Sequence, residues 1–301
     1  MTSIASKAST FTHKPEDHTA QSAGGIIRLS ATALTSAVSF WFLVTLIGQL
    51  IFVVYVVALY GGAAINGDLK GWNKVMPHGY VAGDTAGNIA LGAHLLLAAI
   101  IMLAGAMQLI PQVRARLPAF HHWNGRVYLT GAVVASLTGF YMIWFRGTVG
   151  DVVQHLGTSL NALLILVFAG MTLRRALARD FVAHRRWALR LFLSVSGVWF
   201  FRIGLMFWIV VNRGPVGFNP ETFEGPFLSF LAFAQYLLPL AVLELYLHCR
   251  GRVAASLAMA VKFKNGQRQQ VLRECEETQE WSFKGLGVET NGAAVDDNPK
   301  H

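Results

Sequence analysis

The chain has little of what most catalytic frameworks need. It has two cysteines, Cys249 and Cys275, in 301 residues, which excludes a disulfide framework and a cysteine zinc site. It has no phosphate-binding glycine loop, no HExxH pair and no serine-hydrolase elbow, so the local patterns of a P-loop NTPase, a zinc protease and an α/β-hydrolase are all missing. Charge is scarce too: 14% of residues are Asp, Glu, Lys or Arg, where a soluble domain carries about 25%. What takes their place is apolar surface, 54% of the chain. That composition belongs in a bilayer.

A membrane-crossing helix needs about 20 apolar residues, and six windows supply them: 36–61, 87–110, 125–146, 150–173, 189–212 and 226–249. The expected fold is an all-α membrane protein of six transmembrane helices, with a central four-helix bundle made by spans two to five. Residues 1–30 read as a disordered cytoplasmic arm, 31–250 as the transmembrane domain, and 251–301 as a cytoplasmic tail that is basic first and disordered from about 280. The first apolar run follows some thirty polar residues and lacks a small-residue cleavage site in the right place, so it reads as a span and not a removable signal.

Arginine and lysine set the orientation. Arg114, Arg116 and Arg126 follow span two. Arg174, Arg175, Arg179, Arg185, Arg186 and Arg190 follow span four, and Arg250, Arg252, Lys262 and Lys264 follow span six. The other three connections have no such excess. Both termini are therefore expected in the cytoplasm, with the protein multi-pass in the inner (plasma) membrane. The net charge of +9 is explained by this asymmetry, and no nucleic-acid partner is implied. Membrane lipids are the expected partners, with Arg126, Arg185, Arg186 and Arg190 as contacts for anionic head groups or another anion.

Within the bundle a pattern occurs twice. His94 lies in GAHLLLAAIIMLAGAMQLIP, and 27 residues later comes His121 in HHWNGR; His155 lies in VVQHLGTSLNALLILVFAGM, and 29 residues later comes His184 in HRRWALR. Ionisable side chains at membrane depth are expensive and usually face a partner in the interior. Counted along the helices, His94 and His155 fall at similar levels, roughly 10 Å below the outer edge, and His121 and His184 about 25 Å lower. Histidines facing each other across a bundle can ligate haem iron, so the two levels are candidate sites for two b-type haems and for transmembrane electron transfer from a small-molecule or protein donor. The other reading is a cofactor-free carrier, sensor or scaffold. In it the inner histidines are interfacial residues beside Trp123 and Trp187, and His94 and His155 hydrogen-bond across helices.

His94 with Gly105 and Gln108, the HHWNGR and HRRWALR elements, and His155 together resemble a bacterial family of multi-pass membrane proteins known as domain of unknown function 2306, over about residues 90–205. The resemblance implies membrane location and no assigned activity. The family's first element usually has arginine after its histidine, which makes His121 the matching residue and puts His122 at the arginine position. One histidine on each of the four central spans is also similar in architecture to the di-haem transmembrane cytochromes b that pass electrons from ascorbate. That likeness implies pairing His94 with His155 and His121 with His184. Arg202, halfway along span five, needs a counter-ion: a haem propionate, an anionic substrate group, or hydrogen bonds to Gln235, helix carbonyls or trapped water.

Overall fold

The computed structural model describes residues 16–74 and 79–285. Nine α-helices account for most of them: α1 Glu16–Val56, α2 Gly62–Ile65, α3 Thr85–Leu109, α4 Pro111–Arg116, α5 Pro118–Tyr141, α6 Val152–Leu177, α7 Phe181–Val195, α8 Gly197–Asn212 and α9 Pro226–Gly285. Five helices are long and apolar enough to cross a membrane: Thr35–Ile65, Thr85–Leu109, Pro118–Arg146, Val152–Leu177 and Pro226–Glu274. The pair α7 and α8, bent by 46° at the junction, makes a sixth when counted as one span. This is the expected all-helical membrane architecture, with span five broken.

The chain divides into two compact units, Met1–Ala31 with Cys249–His301, and Thr32–His248. In the first, helix covers the arm from Glu16 onward and the tail as far as Gly285, so about half of the arm expected to be disordered is helical. Residues 1–15 and 286–301 lie outside the described residues.

The second unit holds the bundle. Helix α5 packs along both α3 and α6, and α6 packs along α7. Their shared core is filled by Ile101, Ala104, Tyr128, Ala132, Ala169, Leu191 and Val195. The α3–α5 contact is close because both sides carry glycine. A Cβ on Gly105 would stand 2.7 Å from the Tyr128 ring, and one on Gly131 would stand 2.5 Å from the Ile101 side chain. Small residues of this kind let membrane helices approach where no hydrophobic effect drives them together. Large apolar side chains such as Phe207, Val210, Leu238 and Leu245 are exposed. In water such surface would aggregate; in a bilayer it meets acyl chains.

Helix α1 docks beside α3 and the α7–α8 junction. Val53 packs with Ala99, Met102 and Trp199, and Gly48 leaves room for the Trp199 ring. Aspartates start three helices: Asp84 accepts from Gly87 N–H, Asp151 from Gln154 N–H and Asp180 from Ala183 N–H, each satisfying an orphan donor. Prolines at the first position start α4 and α5, where the missing N–H is harmless. The HHWNGR and HRRW elements thereby fall in the first turns of α5 and α7, and not in loops.

Candidate functional site

Helix α5 acts as a ruler for the two upper histidines. His94 Nδ1 lies 3.1 Å from Thr138 Oγ1. His155 meets the edge of Trp144 in the π-helical turn Met142–Arg146 that continues α5, with ring centroids 6.1 Å apart. Thr138 and Trp144 are six residues apart, about 9 Å along a helix and on different faces. Helix α5 also stands between the helices that carry the two histidines. Two axial imidazoles on one iron approach it from opposite sides, whereas here His94 and His155 meet different residues of α5. Each has its own neighbour instead, although His155 Nε2 is buried without a hydrogen-bond partner.

The arginine-rich end is arranged differently. His184 Nδ1 is 3.0 Å from the Thr172 carbonyl. His121 Nδ1 is buried without a partner, and Gln108 donates to the His121 carbonyl at 2.8 Å. His122 is exposed, consistent with His121 as the inward residue. Each element stacks an arginine over a tryptophan three residues earlier, Arg126 over Trp123 at 5.7 Å and Arg190 over Trp187 at 4.6 Å. Arg190 also makes a two-point bond to Glu244, at 2.6 and 2.9 Å. Arg190 is thus engaged within the protein, while Arg126, Arg185 and Arg186 are exposed toward any anionic surface.

The break in span five is what sequence reasoning missed. Helix α7 ends at Val195, Ser196 lies outside it, and α8 starts at Gly197. The Ser196 hydroxyl donates back to the Phe192 carbonyl at 2.7 Å and leaves α8 without a side-chain cap. Trp199 N–H turns to the Ser196 carbonyl at 3.0 Å. Ser/Gly pairs are a standard cause of sharp kinks, and irregular backbone at membrane depth is tolerated only where protein or a cavity satisfies it. The sequence signal was there, in Ser194, Ser196 and Gly197 inside an apolar run.

Amide side chains gather on this break. Gln49 of α1 donates to Ser196 Oγ at 2.6 Å. Because that hydroxyl already gives its proton to Phe192, it must accept from Gln49, which fixes the amide nitrogen toward it and leaves Oε1 free. Asn161 of α6 donates to the Ser194 carbonyl at 3.2 Å. At the position a Cβ of Gly197 would take, Asn161 Nδ2 is 3.1 Å away and Gln235 Oε1 of α9 is 3.5 Å away. Gln49 Oε1, Asn161 Oδ1 and Ser194 Oγ are all buried without a hydrogen-bond partner. Beside the break, Gln49 also lines an otherwise apolar cavity of about 230 Å³ between α1 and α3.

Arg202, on α8, is half-buried. No hydrogen bond joins Gln235 to Arg202 among the described residues; Gln235 Nε2 donates to the Ala232 carbonyl at 2.9 Å. Glu244 is taken by Arg190, and no carboxylate pairs with Arg202 among the described residues. At the end opposite the arginine-rich one, Arg146 fastens the loop before α3. It bonds Asp84 at 3.0 Å, Asn88 at 3.1 Å and the Gly79 carbonyl at 3.3 Å. Trp72 in that loop is buried and donates to the Tyr60 carbonyl at 3.1 Å, so it is a packing residue and not an interfacial one. The Gly87 N–H, then Arg146, hold the Asp84 carboxyl below the usual carboxylate range. A 2.6 Å bond from the Ser229 hydroxyl, then the N–H of Gln154, does the same for Asp151.

Residues 91–237 match a family model described as "Predicted membrane protein (DUF2306)". The matched segment includes both histidine hairpins, the break and α8. The description gives a location and no activity. No curated protein and no solved structure matches the chain.

Proposed function

We propose that this integral membrane protein is a cofactor-free carrier for a small polar solute, with the break between α7 and α8 as its binding position. The observation that carries the reading is the set of three buried polar atoms without partners around that break. Buried polar groups in native proteins are almost always paired, and each unpaired one costs about 1–3 kcal/mol. A solute that supplies the missing bonds would find its site half built. Broken membrane helices with polar groups at mid-depth are also where known carriers hold their substrates. The histidines then serve as structural groups at helix contacts.

A second reading takes up His121, whose Nδ1 is buried without a hydrogen-bond partner, together with His184. It makes this pair the axial ligands of a haem at the arginine-rich end, which would supply one-electron transfer there. A reduced-minus-oxidised absorption spectrum of the purified protein separates the two readings. The carrier reading expects no sharp haem band; a band abolished by both His121→Ala and His184→Ala overturns it.

Orientation is part of the proposal. The arginine excess places that end, and both termini, in the cytoplasm of an inner-membrane protein. A periplasmic reporter fused after Gly67 or Asn219 is expected to be active, and one fused after Ala176 or Asn265 inactive. Activity at Ala176 would overturn this topology.

A further inference from the structure

We infer that the polar gap at Gly197 binds a small uncharged solute rich in hydrogen-bond donors, of the urea and carboxamide class. The inference rests on the carrier reading for its location and adds the chemistry of the ligand. Four groups define it. Gln235 is 8% exposed, uses its nitrogen on its own helix and turns its oxygen to the bare backbone of Gly197. Asn161 comes from the other side, with its nitrogen on the Ser194 carbonyl and its oxygen unpartnered. Ser194 is fully buried with an unpartnered hydroxyl. The Gly197 backbone, lacking a Cβ, lets the two amides converge.

Both amide nitrogens at the gap already have acceptors; the Asn161 oxygen is buried without a donor, and the Gln235 oxygen faces Gly197. That selects a ligand with more N–H or O–H groups than lone pairs to satisfy. A cation also meets oxygen, but no carboxylate faces the gap to offset its desolvation. The nearest side-chain atom to the Gly197 position is moreover an amide N–H, which repels positive charge. An anion would face two carbonyl dipoles end-on. A neutral molecule with several N–H groups and one carbonyl fits both constraints: its N–H groups reach the Asn161 and Gln235 oxygens, and its carbonyl accepts from Ser194. The gap is closed in this conformation, since a Cβ at Gly197 would already crowd Asn161, so binding requires the two amides to swing apart.

The test uses the full chain, purified and reconstituted in phospholipid vesicles, with radiolabelled urea as the probe. Uptake is measured over protein-free vesicles, and binding is measured on the detergent-purified protein. Two variants bracket the site. Gly197→Ala fills the gap with a residue that favours helix, and Gln235→Met removes the acceptor at similar volume; circular dichroism and thermal melting check that both remain folded. Urea binding and uptake that fall about tenfold in both variants, equivalent to about 1.4 kcal/mol, support the site. Binding that depends on Gly197 and Gln235 without any uptake also supports the site and overturns the carrier reading. Uptake unaffected by either variant overturns the site and leaves the carrier reading standing. Absence of both binding and uptake, or displacement of urea by methylammonium at equal concentration, overturns the inference.

Discussion

The two histidine-bearing hairpins start from similar sequence and end in different structures. In the first, α3 and α5 run unbroken, glycines press them together, and His94 has Thr138 as its partner, while His121 Nδ1 and the Tyr128 hydroxyl are buried without partners. In the second, α6 pairs with a helix that breaks at Ser196, and His155, Asn161, Thr172 and Ser194 all keep a buried polar atom without a partner. The comparison teaches that a repeated motif fixes where helices start and how they pair, but not whether they are sealed. Sealing depends on the small residues between the histidines. Gly105 and Gly131 face the Tyr128 ring and the Ile101 side chain, whereas Gly197 faces two amides, of which Asn161 keeps an unpartnered oxygen.

The largest effect should come from forcing the sealed hairpin apart. Gly131→Leu places a branched side chain where a Cβ alone would be 2.5 Å from Ile101. Overpacking of this kind costs about 1–3 kcal/mol or more, so a large loss of thermal stability or of folded yield is expected. Gly197→Ala, the matching change in the broken hairpin, should melt within a few degrees of the parent. Equal damage from both would remove the distinction between the hairpins.

How far the sequence allowed this reading differs by element. Apolar windows located the spans, because bilayer thickness imposes a length that composition shows directly. The Trp and Arg spacing in the two elements likewise survives as stacked pairs. The break was not legible from hydropathy, since serine and glycine barely change an average taken over a full span. The depth match between His94 and His155 was counted from the apolar windows, but their partners sit about 9 Å apart along α5. Gln49 bonds Ser196, 147 residues away, a contact no local pattern carries.

The clamp outside the bundle sharpens the comparison next. Arg146 is 9% exposed and holds the loop before the sealed hairpin. Arg146→Gln should lower stability by about 2 kcal/mol, the scale of hydrogen bonds to charged groups, and should make the segment after Gly67 sensitive to added protease. No new cleavage there would show that the loop is held by Trp72 alone. Acid gives a smaller effect. Asp84 and Asp151 have folded pKa values below their unfolded ones, so their stabilisation is present above the unfolded value of 3.8 and is lost as pH falls through the folded values. Melting temperature should fall below about pH 4, and the Asp84→Asn variant should show a shallower fall. An unchanged acid profile in that variant would mean the clamp contributes nothing measurable.

Smaller again is the pair that ties the broken hairpin to α9. Glu244 is 52% exposed and Arg190 19%, so Glu244→Gln should cost no more than about 1 kcal/mol. His122→Ala, at an exposed position, should stay within about 0.5 kcal/mol, and a larger loss would move the inward histidine from 121 to 122.

The difference between the hairpins can be read most directly with one small reagent on two equally buried positions. Ala132 in the sealed hairpin is 1% exposed and Ser194 in the broken one 0%. In a background with Cys249 and Cys275 changed to serine, Ala132→Cys and Ser194→Cys are treated with iodoacetamide, itself a small neutral amide, in membranes at neutral pH. The account predicts alkylation at position 194 that urea slows, and none at position 132. Equal reaction at the two positions, or an inert cysteine at 194, would contradict it.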